Sequence, residues 1–436
     1  MNKFISSQII LILFLFILSC KEEPTKPPTE TNLTLEVLDK SCTEVWIDIK
    51  ANDQANKLGS VYLNDEFRTQ FYLKDTLVYL DELLPNKTYS IKLTNQDGIG
   101  TQTEFTTMDT TSHNFTWETF EFGGGSSSIL SDVAIINEND IWAVGEIYTK
   151  DTYTYDSNGV WQQPYNAVHW NGSKWELKRM LRVGVNNVSK INTVYAFGEN
   201  DVWFDGLLKW NGEELTLHSN NFPLSSNGTG WRINSMWGES SNNFYVVGNG
   251  GNIAHYNGSS WSKIVSGTNL DIQDIYGSLN PKTNNYEIIA IASNNFQNNG
   301  LEVLSIKNST STKLSTANLS SDISGIWFMP KRKYFITGGG IFKKNDIYDS
   351  KSWYKYPSNS FYTYYTNSID GTDYNHIVTS GSYGEILHFN GSTWYNYRSM
   401  LNVSSMDIIR IRTHGNNLMV GIGNTGYKVT IIKAIK

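Results

Sequence analysis

A short string recurs along the chain from residue 169 on: HWNGSKW at 169–175, KWNGEEL at 209–215, HYNGSSW at 255–261, IYDSKSW at 347–353 and HFNGSTW at 388–394. A degenerate copy, IKNSTST, stands at 306–312. The Asn or Asp of successive copies are 40, 46, 51, 41 and 41 residues apart. Self-similarity at such a period commits a chain to an array of one repeated unit, because a single unit cannot bury its own apolar face. Ahead of each string lies a second shared pattern, as in LSDVAIINENDIWAVG (130–145) and INSMWGESSNNFYVVGNGG (233–251). Each unit reads as strand, polar turn, strand, Gly turn, strand, Asn-Gly turn, strand. Asn-Gly reads as a two-residue hairpin turn, since both residues tolerate positive φ. Four antiparallel strands in about 44 residues make a propeller blade.

First strands begin near 130, 191, 233, 272, 323, 364 and 408, which gives seven units. The last unit ends on YKVTIIKAIK and lacks an Asn-Gly turn, whereas NFTWETFEF (114–122) precedes the first unit. Its Trp117-Glu118 aligns with Trp175-Glu176, the fourth-strand position. The expected fold is therefore all-β: a seven-bladed β-propeller over 114–436, closed by an N-terminal strand so that no open sheet edge remains. The units resemble bacterial propeller arrays of the pattern I-x-x-V-W-G … D-V-W-A-V-G … G-x-I-x-H-Y-N-G-x-x-W. That resemblance covers about three-quarters of the chain and implies a secreted or lipoprotein context. The Gly-His and Trp-Asp pairs of the WD repeat are missing. Asp156-Ser157-Asn158-Gly159-Val160-Trp161 lacks the spacing of the sialidase Asp-box.

Residues 32–108 carry about seven alternating strands of their own, such as EVWIDIKA and TYSIKLT. That number of short strands in about 77 residues suggests an immunoglobulin-like sandwich. Leu83-Leu84-Pro85-Asn86-Lys87-Thr88-Tyr89 resembles the L-x-P-x-x-x-Y corner of fibronectin type III modules, which implies that the Tyr89 hydroxyl caps backbone upstream. A spacer role is expected of this domain.

The first twenty residues read as an address. Lys3 is a short positive region, and Ile9 to Leu18 is an apolar run too short to span a bilayer core, which needs about 20 residues. Ile17-Leu18-Ser19-Cys20 resembles the bacterial lipobox. The resemblance implies a signal peptide over 1–19 and acylation of Cys20, a stable membrane anchor. Lys21-Glu22-Glu23 resembles the surface-export signal of Bacteroidetes lipoproteins, and the proline-rich stretch to residue 31 reads as a tether. The expected location is the cell envelope, as an outer-membrane lipoprotein exposed at the surface. With Cys20 so used, only Cys42 is left, which excludes a disulfide framework; Cys42 is expected as a small buried residue.

Charge narrows the partners. The net charge is −7 and no Lys/Arg cluster appears, which argues against nucleic acid. Charged residues are 18%, below the usual share of about 25%, and Asn, Ser and Thr carry the polarity instead. His169, His255 and His388 share one repeat position, but on different blades they cannot converge on one ion, so each is expected to pack within its own blade. Trp117, Trp175, Trp261, Trp353 and Trp394 are likewise expected to pack blade on blade. No Ser/His/Asp order, phosphate loop or HExxH string appears, and neither a metal nor a cofactor is expected.

Two sets of residues stand out as candidate sites. Near the axial ends of the inner strands, Asp132, Asn192, Asn234, Gln273, Asp274, Asn367 and Arg410 are expected to line a polar channel with few acids. Off the repeat, the insertion between the second and third strands of unit one carries Tyr148, Tyr153, Tyr155, Trp161 and Tyr165. Blade-connecting loops add Phe222 and Trp231, and Phe361, Tyr362 and Tyr364. All would lie on one rim, where aromatic rings among Asn and Ser can grip a glycan or a peptide. The expected function is a lipid-anchored, monomeric binding or scaffolding protein for a glycan or an envelope protein. The alternatives are a carbohydrate-active enzyme on a divergent propeller and a structural subunit of an envelope assembly.

Overall fold

The computed structural model describes residues 33–436 except 226, 281–282, 295–299, 321 and 402, and the side chain of Asp53. Cys20, the signal peptide and the tether lie outside the described residues. Two compact units are formed: one contains 48–78 and 90–104, the other 37–47, 79–89 and 105–436.

In the first unit the hairpin Leu58–Leu63 and Glu66–Tyr72 turns through Asn64 and Asp65. Both have positive φ (51° and 64°), the mirror-image turn whose twist suits a two-residue hairpin. With Thr88–Asn95 and Gly100–Thr106 these strands form a sheet in which the hairpin's first strand pairs with Thr88–Asn95. Val61, Leu63, Ile91 and Leu93 are its buried face. A second sheet has the order Thr34–Lys40, Val45–Lys50, Thr76–Leu80.

The larger unit holds seven four-stranded antiparallel sheets among the described residues. Their first strands are Ile129–Asn137, Val194–Gly198, Ile233–Ser240, Ile272–Asn280, Ile323–Met329, Thr366–Asp373 and Asp407–His414. Each neighbours the next in order, and the last neighbours the first, so the sheets, numbered one to seven, form a closed ring. The seventh sheet is completed from the other end of the chain. Thr116–Gly123 pairs antiparallel with Lys428–Ile435, with Trp117 opposite Ala434 and Gly123 opposite Lys428.

Sheet packs on sheet through apolar faces. Leu130, Val133 and Ile141 of the first sheet share a cluster with Leu418, Val420 and Ile431 of the seventh. Each such side chain contributes about 1.5–3 kcal/mol when buried. Two of the repeated tryptophans bond to a neighbour: Trp261 Nε1 donates to His218 O (2.8 Å) and Trp353 Nε1 to Ser315 O (3.1 Å), each in the segment after the preceding sheet.

The repeated Asn-Gly turn differs from the two-residue expectation. Trp170 pairs with Trp175, so 171–174 form a four-residue loop. Asn171 Oδ1 accepts the N–H of Ser173 and of Lys174, both at 3.1 Å, and Gly172 alone takes positive φ (88°). Asn211, Asn257 and Asn390 repeat this capping. The side chain satisfies the turn's own donors, so Asn keeps an ordinary φ. The two-residue turn occurs instead in the degenerate copy: Lys307 pairs with Thr310, and Asn308 and Ser309 have φ of 49° and 62°.

The same unit buries an ion pair. Lys333 Nζ lies 2.5 Å from Glu44 Oε2, which also accepts the Ser41 hydroxyl, and Asp39 pairs with Arg332 and accepts the Tyr374 hydroxyl. Tyr89 Oη accepts the Leu84 N–H at 2.9 Å, the contact expected of the corner.

Ring closure can be tested by cross-linking. Cysteines at Glu121 and Thr430, opposite each other in the closing ladder, are expected to form a disulfide that raises stability by about 2–4 kcal/mol. Non-reducing electrophoresis and thermal unfolding read this out. A double variant that oxidises no faster than either single variant would show that the register is wrong.

Candidate binding face and central channel

The insertion of the first sheet is a small hairpin of its own. Tyr153 N–H donates to Gln162 O (2.7 Å), Gln162 N–H to Thr154 O (2.8 Å), and Tyr155 bridges Trp161. At its tip Asp156 Oδ1 accepts the N–H of Asn158 and Val160, both at 2.9 Å, and Gly159 turns at φ 74°. This frame holds three rings into solvent: Tyr153 is 53% exposed, Tyr155 69% and Trp161 47%. Their centroids are 5.0 Å apart for Tyr155–Trp161 and 6.1 Å for Tyr153–Trp161, and Tyr148 backs Tyr153 at 5.7 Å. Tyr165 serves the base instead: its hydroxyl donates to Asp151 Oδ2 (3.0 Å), and the Arg179 guanidinium lies 3.8 Å above its ring.

The other rim aromatics divide. Phe222 and Trp231 stack at 5.2 Å, half-buried, and Trp231 Nε1 donates to Pro223 O. Trp231 also lines an 850 Å³ cavity with Arg232, Asn249, Asn252 and Lys263. Phe361 lies parallel on Trp394 at 5.0 Å, and Tyr362 is buried with its hydroxyl on Tyr356 O (2.8 Å). These two are packing residues, because the loop that carries them folds onto the sixth sheet. Tyr364 meets Tyr383 at 4.6 Å beneath the Arg398 guanidinium. Tyr383, exposed at φ 57°, stands in the second-to-third loop of the sixth sheet and was not singled out from the sequence; its position matches Gly250 of the third sheet's loop.

The polar ring predicted for the channel is largely spent on structure. Asn234 Nδ2 donates to Ile272 O (3.0 Å) and Asn367 Nδ2 to Ile408 O (3.1 Å), each strapping one innermost strand to the next. Gln273 Nε2 bonds Ser293 O within its own sheet. The N–H groups of Asn192 and Thr193 donate to Asp205 Oδ1, whose burial pushes its pKa up to about 6. Asp132 Oδ2 accepts the Val194 N–H (3.1 Å), and its Oδ1 faces Arg410 Nε (3.5 Å) and Arg412 (3.7 Å). Asp274 accepts Ser235 Oγ (2.7 Å) and the Ile326 N–H (3.2 Å) from the sheets on either side. Further along the same strands a 280 Å³ cavity opens, lined by Tyr195, Trp237, Tyr276, Asp274, Asp370 and Arg412 among others. Of these only Asp274 belongs to the predicted ring.

The repeated histidines take three local roles. His169 Nε2 bonds Asp140 (2.8 Å) and stacks on Trp142, and His255 Nε2 bonds Asn243 (2.7 Å) and stacks on Tyr245. His388 joins a chain: its Nδ1 is 2.9 Å from His113 Nδ1 and its Nε2 is 2.9 Å from His376 Nδ1. Among the described residues no group of three or more His, Cys, Asp or Glu is arranged to hold a metal ion. Cys42 is buried with its thiol on Asp109 O (3.1 Å), and burial followed by the Asp109 charge pushes its pKa up to about 12, which keeps it a thiol.

No family model matches the chain, and no curated protein matches it. Among solved structures it is similar to YCF48 bound to D1 peptide, with a TM-score of 0.52 and 15% identity over 75% of this chain and 99% of that one. It is also similar to YCF48 from Cyanidioschyzon merolae, with a TM-score of 0.49 and 15% identity over 73% and 98% of the two chains. The WD40 β-propeller domain of Doa1 has a TM-score of 0.49 and 11% identity, over 72% and 96%. The protein is a β-propeller. At 15% identity the first likeness shows the fold alone.

The histidine chain makes stability depend on acid. Burial pushes His376 down to about 4 and His388 down to about 2, the latter helped by His376, His113 and Lys436. Unfolded histidines titrate near 6.5, so below that pH the unfolded state binds more protons than the folded state. The contribution is fully present above pH 6.5 and is lost as pH falls, at roughly 1.4 kcal/mol per pH unit per histidine. Replacing His388 with Gln is expected to flatten the decline in denaturant midpoint between pH 6.5 and 4. An unchanged slope would show that these rings do not titrate on unfolding.

Proposed function

We propose that this protein is a lipid-anchored envelope protein that holds a partner polypeptide on the loop-bearing face of a seven-bladed propeller. The observation that carries the reading is the exposed trio Tyr153, Tyr155 and Trp161. Large rings held in water on a hydrogen-bonded hairpin lose little freedom on binding, and Tyr and Trp dominate binding hot spots. The insertion departs from the period of the repeat, so ring packing does not account for it. A propeller of similar fold is known bound to a peptide, which supports a polypeptide as the class of ligand.

Three finer readings accompany it. Each of the seven sheets is a blade. Residues 32–108 form a fibronectin type III-like domain, supported by the strand order of its two sheets and by the Tyr89 corner. Acylated Cys20 anchors the chain to the outer membrane. The amide-rich cavity beside Trp231 favours a second reading, a glycan ligand.

A photo-cross-linking residue in place of Tyr155 in cells is expected to give one discrete protein adduct. Trp161→Ala is expected to weaken that capture by at least about 2 kcal/mol, or some thirtyfold. An adduct that glycosidase removes supports the glycan reading; no adduct at all overturns both. Cys20→Ala is expected to move the protein from the membrane pellet to the soluble fraction, and unchanged pelleting would refute the anchor.

A further inference from the structure

We infer that the central channel carries a specific site for a primary ammonium group on a short apolar chain. The site lies midway along the innermost strands, in the 280 Å³ cavity, apart from the loop-bearing face. It goes beyond the proposed docking function and does not depend on it.

The charges around the cavity do not balance. Asp132 already faces both Arg410 and Arg412, at 3.5 and 3.7 Å. Among the described residues no cationic nitrogen lies within 4 Å of Asp274 or Asp370, though both line the cavity. Three carboxyls face two guanidiniums, so one of them has no cationic partner of its own and must carry a proton or meet a cation. Asp274 is only 5% exposed, and its two oxygens accept one hydrogen bond each, from Ser235 Oγ and the Ile326 N–H. A carboxylate oxygen can accept two, so capacity remains on both. Asp370 Oδ2 takes the Thr413 N–H (2.8 Å) and hydroxyl (3.3 Å). Burial nevertheless holds Asp370 above the ordinary carboxylate range, more than Arg412 lowers it, which marks a charge short of a partner.

Such a pocket is relieved by a proton or by a cation. The rest of the lining selects the kind of cation. Tyr195, Trp237 and Tyr276 are among the lining residues, and aromatic rings attract an ammonium once it is desolvated. Val133, Ala134, Ile275 and Ile369 offer apolar contact, suited to methylenes and hostile to a hydrated metal ion. The volume falls below the range of about 300–1,000 Å³ common for drug-sized ligands, so the cavity suits one lysine-sized chain and excludes an oligosaccharide. The three donors of an ammonium match the remaining acceptors of Asp274 and Asp370. The same chemistry comes from two sources, a free alkylamine or a lysine side chain.

The test is calorimetric titration of the full mature chain with n-butylamine, with butyrate as the isosteric anion, and with N-acetyl-lysine-amide. The expected result is saturable 1:1 binding of butylamine and none of butyrate. Asp370→Asn and, separately, Asp274→Asn weaken butylamine at least tenfold with an unchanged circular dichroism spectrum. Should both variants misfold, the wild-type contrast between amine and anion still decides. N-acetyl-lysine-amide binding as tightly as butylamine assigns the site to a lysine side chain; binding of butylamine alone assigns it to a free amine. Trp161→Ala leaves the titration unchanged, which separates this site from the loop face. Butyrate binding as well as butylamine, or no saturable heat with butylamine, overturns the inference.

Discussion

Everything in the propeller rests on the ladder between Thr116–Gly123 and Lys428–Ile435. Each sheet buries its two faces only because a neighbour stands on either side. An array cut at one point would expose the first and seventh sheets together, including Leu130, Val133, Val420 and Ile431. Drawing the outermost strand of the last sheet from the far end of the chain turns the cut into hydrogen bonds. It also makes closure a long-range event, with more than three hundred residues between the partners. Such a contact repays its loop-closure entropy only late in folding.

The inner edge of the ring needs a second device. The first strands of neighbouring sheets stand side by side without forming a continuous ladder, so their backbone groups must be satisfied across the gap. Side chains supply the link: Asp132 to Val194, Asn234 to Ile272, Asp274 to Ile326, Asn367 to Ile408 and Asp370 to Thr413. The ring is thus strapped by carboxylates as well as amides. Arg410 and Arg412 answer part of that acidity and leave the rest facing the channel.

Legibility followed this division of labour. The period of the strings, the four strands of each unit and the strand that closes the ring were readable, because each is a local pattern repeated against itself. The Asn-Gly turn was identified in place but not in kind: Asn171 looks the same in sequence whether its φ is positive or its side chain caps the loop. Burial of Tyr362 against the sixth sheet could not be read, since it depends on how one connecting loop lies on a neighbour. The cavity residues were harder still. Tyr195, Trp237, Tyr276, Asp370 and Arg412 come from five sheets and recur near the repeat period, but their residue types differ from sheet to sheet, so no shared string marks them. A shift of two or three positions along each inner strand separates them from the polar ring expected from the sequence.

Residues that keep the period are the ones the fold consumes. His169 and His255 bond within their own sheets, Trp261 and Trp353 bond the segment after the preceding sheet, and Asn171, Asn211, Asn257 and Asn390 cap their own turns. A side chain needed identically in every unit has no freedom to serve one partner. Function must then be sought where the period breaks: in the inserted hairpin of the first sheet, and in Asp370 and Arg412, charged side chains at the inner-strand position that Tyr195, Trp237 and Tyr276 hold on other sheets. In a ring built of near-copies, asymmetry is what distinguishes one ligand from another, because a ligand at the shared axis meets a distinctive set of side chains only where the copies differ.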